Sequence, residues 1–202
     1  MSKPSPFFVI EDFISPLQCE KIRNSKYVQK SNLPHVQTIR DGQKLIVNSV
    51  LDYKQEIETR FGGVMNDDIK SLFLQFPENP TVPCQAVQID SWQFIRRKWT
   101  KVKNIDLIGL IPLKTYNSDV PIDVEFETYG SKIEFPNFNF GILPERGSLI
   151  LFPSAPNFAY AISHNLLGGI EFIKVHIVLS TVENQWEFNS DNFEFSMEKL
   201  IS

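Results

Sequence analysis

Cysteine occurs only twice in this chain and histidine three times. Cys19 and Cys84 form neither a disulfide framework nor a CxxC metal knuckle, and both read as small buried hydrophobes. No segment approaches the roughly 20 apolar residues that a membrane-spanning helix needs. The opening MSKPSPFFVIEDF has too short an apolar run for a signal peptide, so a reducing cytoplasm is the expected setting. A glycine-rich phosphate loop, a GxSxG elbow and zinc-type spacings are all missing. Basic charge is not in excess either. With 20 Lys and Arg against 24 Asp and Glu, the net charge of −4 argues against nucleic acid or an anionic membrane as the main partner.

What the chain does have is phenylalanine, 17 residues of it, together with 13 prolines. Aromatic rings fit a pleated, half-buried surface, and that weighting points to β structure. Hydrophobic content of 42% and charged content of 22% are ordinary for a globular domain, and 202 residues suffice for one. Phe7–Phe13 reads as an opening strand. Ser15 and Pro16 read as the N-cap and first residue of a helix over PLQCEKIRNSKYVQ, with Leu17, Ile22 and Val28 facing inward. Residues 30–48 are turn-rich, with Arg40-Asp41-Gly42 as a hairpin, and Leu51–Phe61 is a helix ended by Gly62-Gly63. Asp67–Phe76 reads as a second helix, and Pro77, Pro80 and Pro83 mark a loop.

Beyond that loop the pattern becomes that of strands. Gln85–Ile95 alternates in two pieces with a slip between them, which fits a bulge. Leu107–Leu113 is a near-continuous apolar run, the pattern of a strand covered on both faces. Val124–Thr128, Lys132–Phe135, Ser148–Phe152 and Phe172–Val178 complete a set whose short, regular spacing suggests a sandwich or barrel-like double sheet.

Residues 129–180 run YGSKIEFPNFNFGILPERGSLILFPSAPNFAYAISHNLLGGIEFIKVHIVLS. This stretch resembles the second half of the double-stranded β-helix of iron(II)/2-oxoglutarate oxygenases, in the branch similar to prolyl 4-hydroxylases. The likeness is strongest in KIEFPNF and GSLILFPSAPNF, and the DFIS…QCEKI entry is similar to the start of such domains. It implies a mainly β (α+β) fold, a double-stranded β-helix of jelly-roll, cupin-like type with N-terminal helices packed on the sheet. A single domain over 1–202 would comprise a lead-in (1–83), a barrel core (84–182) and a C-terminal extension (183–202).

Members of this family hold iron with two histidines and one carboxylate, the first histidine two residues ahead of the carboxylate. Here no histidine lies between His35 and His164. Asn104-Ile105-Asp106 is the best spacing match, with Asn104 in the histidine's place and Asp106 as the carboxylate; an earlier register sets Val102 and Asn104 there. Counting back eight residues from Gly168 puts Tyr160 at the distal histidine, and His164, four residues later, is the candidate replacement. Lys174 is the counterpart of the basic residue that pairs with the far carboxylate of 2-oxoglutarate, and His176 shares its face by strand alternation.

Three functions follow. The first is a diverged, bacteriophage-type member lacking the metal-binding histidines, with no catalytic residue, metal or cofactor. It would serve as a structural or assembly protein that contacts other protein subunits, in the host cytoplasm or in a virion. Its contact surfaces would be loop 77–83 and the tail 182–202, which reads either as a closing strand and short helix or as an arm docking on a neighbour. The second is an active Fe(II)/2-oxoglutarate hydroxylase using Asp106, His164 and Lys174. The third is a metal-free barrel binding a small anion through Lys174 and His176. Outside these, Arg96-Arg97-Lys98 with Trp99, Lys101 and Lys103 forms a basic cluster, read as a solvated strand end or a contact for an acidic partner.

Overall fold

The two longest described strands lie side by side at the centre of the structure, a computed structural model that describes residues 5–24, 27–29, 36–39, 42–76, 88–114, 132–163 and 170–180. Strand β8 (Leu107–Lys114) pairs antiparallel with β13 (Ile170–Ile177), Ile177 opposite Leu107 and Lys174 opposite Leu110. Residues 107–113 are all buried, as an uninterrupted apolar run requires of a strand covered on both faces.

The sheet grows outward from this pair. On one side stand β11 (Leu149–Pro153) and then β1 (Phe8–Ile10). On the other stand β5 (Lys70–Phe76), β3 (Val36–Ile39) and β2 (Tyr27–Gln29), every neighbour antiparallel. A second sheet has the order β10 (Phe140–Ile142), β9 (Lys132–Phe135), β12 (Ala161–Ser163). Two small ribbons complete the described strands: β4 (Val64–Met65) with β14 (Leu179–Ser180), and β6 (Trp92–Ile95) with β7 (Lys98–Lys101). Strands from the first 83 residues thus complete the same sheet as those that follow.

Alternation along the central strands divides the core in two. Ile111, Ile173, Val175 and Leu151 face a cluster that includes helix residues Ile22, Ile46, Val50 and Ile57. Ile108, Leu110, Phe152 and Phe172 face the second sheet, where they meet Ile133, Phe135 and Tyr160. The large sheet is therefore the middle of three layers. Each fully buried Leu, Ile or Phe in it contributes about 1.5–3 kcal/mol.

Helix α1 (Pro16–Arg23) starts where its cap residues predict. Ser15 Oγ accepts from the Gln18 amide at 3.2 Å, and Gln18 Oε1 accepts from the Ser15 amide at 2.7 Å, a reciprocal capping box. The helix is shorter than expected, because the chain turns into β2, and Leu17 is 80% exposed while Cys19 and Ile22 are buried. In place of a turn-rich stretch up to residue 48, α2 (Gln43–Asp52) begins at Gly42, followed by α3 (Lys54–Phe61).

Lys70–Phe76, expected as part of a helix, is β5. It carries Phe73 into the helix-side core and Leu74 into the other, and a strand apolar on both faces has no period to separate it from a buried helix. The expected strand 124–128, the loop 77–83, Cys84 and the tail lie outside the described residues. Among those described, no helix is long and apolar enough to cross a membrane.

Gly147 fastens the corner where β1, α1 and β8 meet. Its amide donates to Pro112 O at 2.8 Å and its carbonyl accepts from Ile14 N at 2.9 Å, at φ +81°. A Cβ here would collide with the Ile14 carbonyl oxygen. Gly147→Ala should therefore cost about 1–3 kcal/mol, read as a lower urea midpoint with unchanged slope. An unaltered midpoint would mean that the corner has slack.

Candidate functional site

Among the described residues, the layer between the two sheets holds a polar cluster built around a buried lysine. Residues Phe172, Lys174 and His176 share a face of β13, and Lys174 is only 6% exposed. A lysine at such a position must find acceptors, because an unpaired buried charge is costly. Its Nζ donates to Asp90 Oδ1 at 2.6 Å and to Gln88 Oε1 at 2.9 Å. Tyr160, buried at the entrance to β12, completes the group: its hydroxyl lies 2.9 Å from Asp90 Oδ2 and 3.1 Å from Gln88 Oε1. One hydroxyl proton serves one strong bond, and the charged carboxylate is the better acceptor, so Tyr160 donates to Asp90.

Backbone pairing delivers these residues to one place. Gln88 and Tyr160 form an antiparallel bridge, Gln88 N to Tyr160 O at 2.7 Å and Tyr160 N to Gln88 O at 3.3 Å. Below it, the next residues are pinned to the turn after β11. Ser91 Oγ lies 2.6 Å from Ser154 Oγ, and Trp92 Nε1 donates to Ser154 O at 3.0 Å. Tyr160 packs edge-on against Phe152, ring centroids 5.0 Å apart.

Burial would raise the Asp90 carboxyl, but the Lys174 ammonium beside it prevails and holds it below the usual carboxylate range. Burial first, then the Asp90 charge, pushes the Tyr160 phenol well above its ordinary value, so it stays protonated. Burial also lowers His176 to about 4, against the opposing pull of Asp90. At neutral pH His176 is therefore uncharged. Its Nε2, buried and without a hydrogen-bond partner, lies 3.9 Å from Asp90 Oδ1 and forms no ion pair with it.

The sequence-derived candidates divide in two. Tyr160 and Lys174 come together, and His176 stands beside them. Asn104 is exposed, and Asp106 is a fastening at the sheet's rim: Oδ1 accepts from Lys101 Nζ and Oδ2 from the Leu179 amide, each at 2.8 Å. No described hydrogen bond or ion pair joins Asp106 to Tyr160 or Lys174. His164 lies outside the described residues.

The pair that sequence reasoning missed is Gln88 and Asp90. Gln88-Ile89-Asp90 has the same two-residue spacing as Asn104-Ile105-Asp106, with polar residues on one face of the chain and Ile89 on the other. That alternation was the available signal.

The donor set does not fit iron(II). It offers an amide oxygen, a protonated phenol, a carboxylate already bound to an ammonium, and a single neutral imidazole, His176, 3.9 Å from that carboxylate, where a facial triad takes two imidazoles and a free carboxylate. Among the described residues no three His, Cys, Asp or Glu side chains gather in a way that could hold a metal.

No protein-family model matches the chain, and no curated protein matches it by sequence. Its fold is similar to that of the viral collagen prolyl hydroxylase of Paramecium bursaria Chlorella virus-1 in its 2OG complex, with a TM-score of 0.59 and 13% identity over 88% of this chain and 97% of that one. A truncated form of the same enzyme gives a TM-score of 0.54 and 11% identity, over 86% of this chain and 90% of the other. The shared architecture is a jelly-roll-like arrangement of antiparallel sheets.

Lys174→Met should destabilise the protein by about 3–5 kcal/mol, because it leaves Asp90 buried and unpaired. Tyr160→Phe should cost only about 1–2 kcal/mol. Chemical denaturation measures both, and equal losses would mean that the ion pair is not the dominant link.

His176 binds a proton more readily unfolded than folded, so stability should fall as pH drops from about 6.5 to 4. Its share is on the order of 3 kcal/mol. The depressed Asp90 carboxyl acts in the same direction at lower pH. Melting curves of His176→Gln should be flatter across that window, and an unchanged slope would remove His176 from the account.

Proposed function

We propose that this chain is a non-catalytic protein built on a double-stranded β-helix of the 2-oxoglutarate-oxygenase type, acting through contacts with other proteins as a structural or assembly component. The observation that carries this reading is the closed network of Tyr160, Asp90, Gln88 and Lys174. Lys174, the residue that the family resemblance assigns to the far carboxylate of 2-oxoglutarate, is neutralised by a carboxylate of the chain itself. Tyr160, assigned to the distal histidine, spends its proton on the same carboxylate. An incoming dicarboxylate would have to displace Asp90 from Lys174 and leave Asp90 buried without its counter-charge. A divalent cation would meet an ammonium 2.6 Å from the one carboxylate of the cluster.

The hydroxylase reading with Asp106, His164 and Lys174 gains little from this geometry, since Asp106 holds Lys101 and Leu179. The small-anion reading meets the same obstacle at Lys174. Its other member, His176, is neutral at pH 7 and has no charge to offer an anion.

A thermal-shift titration with Mn(II) and 2-oxoglutarate, singly and together, tests the proposal. Anything that binds only the folded state raises the melting temperature. The expected result is no shift with any combination. A shift that requires both would restore the hydroxylase, and a shift with 2-oxoglutarate alone would favour the anion-binding barrel.

A further inference from the structure

Both sheets end on the same flank of the molecule. Among the described strands, β1 is outermost in the large sheet and β10 is outermost in the small one. Phe7, immediately ahead of β1, joins the two edges. Its ring lies 5.1 Å from that of Phe140 in β10 and 5.5 Å from that of Phe138. Around this seam Val9 is 43% exposed, Phe138 41% and Phe140 45%. Apolar residues exposed singly are ordinary, whereas a set gathered along two strand edges marks a contact surface.

Strand edges are usually guarded by charge, proline or a bulge. β1 reads Phe8-Val9-Ile10 and has none of these within it, only shortness. The preceding Phe7 is accounted for, its amide donating to Ser5 Oγ at 3.2 Å and its carbonyl accepting from Arg60 Nη2 at 3.3 Å. β1 itself pairs with β11, and among the described residues no hydrogen bond reaches its other side.

Helix α3 borders this edge. Phe8, Gln55, Glu56, Thr59 and Arg60 line an open groove of about 580 Å3. The Arg60 guanidinium lies over the Phe8 ring at 5.8 Å, and its buried Nε has no hydrogen-bond partner among the described residues. Glu56 and Arg60 stand one helical turn apart, and neither has an ion pair among the described residues.

A two-fold axis through β1, perpendicular to the sheet, would set this strand antiparallel to its own copy. The two α3 helices would then pass in opposite directions on one face of the joined sheet. That places Glu56 of one copy against Arg60 of the other, and the same pair again across the axis, as an isologous contact requires. From this complementarity we propose that the β1 edge, with α3 and the Phe140 seam beside it, is where a second copy of this chain docks, β1 against β1. Two seven-stranded sheets would become one. The inference uses exterior features and is independent of the reading of the interior.

Sedimentation velocity of the full chain over about 1–100 μM tests it, a range that reaches weak specific association. The mass should rise from that of one chain toward that of two. Val9→Lys puts a guarding charge on the edge at an exposed position, and it should abolish the dimer without lowering the melting temperature. Glu56→Arg should raise the dimer Kd about tenfold at low salt, because two attractions become two repulsions. Adding Arg60→Glu restores opposite charges across the axis and should bring the Kd back. A single-chain mass throughout would leave this edge to a different protein or to none, and overturn the proposal. So would a dimer that survives Val9→Lys, or one whose affinity ignores the charge exchange on α3.

Discussion

The ion pair between Lys174 and Asp90 is the constraint on which the arrangement of the two sheets depends. It joins the central strand of the large sheet to the short segment that bridges Tyr160 at the entrance to the small one. Taking two charges out of water costs several kcal/mol for each ion, and attraction compensates only when geometry is good and the remaining polar atoms are satisfied. Here Gln88 Oε1 takes a second Lys174 proton and Tyr160 donates to the second carboxylate oxygen. An apolar core of similar volume could be as stable. What the polar group adds is register, because only one pairing of Gln88 against Tyr160 brings all four side chains together.

That same completeness bears on function. A site prepared for a ligand usually leaves a charge waiting for it, whereas here the Lys174 ammonium and the Asp90 carboxylate already meet each other. The unsatisfied atom nearby is His176 Nε2, and burial keeps that imidazole neutral. A jelly-roll of this kind can host many activities or none, so fold likeness at 13% identity identifies architecture and leaves chemistry to the residues. In this chain the residues tie a buried ammonium to a carboxylate.

Much of the architecture was legible in the amino-acid sequence where the signal is local or unambiguous. Ser15 and Pro16 announce a helix start through their own hydrogen bond and fixed φ, and Leu107–Leu113 is too uniformly apolar to be anything but covered. Lys70–Phe76 failed because its partners, β3 and β13, lie some thirty and one hundred residues away, and only they decide between strand and helix. Leu17 failed because one apolar residue on a short helix is a weak indicator of its face. At the site, family likeness singles out Tyr160 and Lys174, and the structure places both against Asp90. Asn104-Ile105-Asp106 and Gln88-Ile89-Asp90 share one spacing, and the bridge to Tyr160, 72 residues distant from Gln88, selects the second.

The rim and the interior obey one electrostatic rule with different outcomes. Inside, a lone lysine and a lone aspartate must meet, since neither tolerates burial alone. At the rim, Asp106 is shared between Lys101 and a backbone amide, and solvent can screen whatever is left over. The β6–β7 hairpin beyond it gathers cations where no carboxylate of the described chain answers most of them, and it keeps aromatic surface in water.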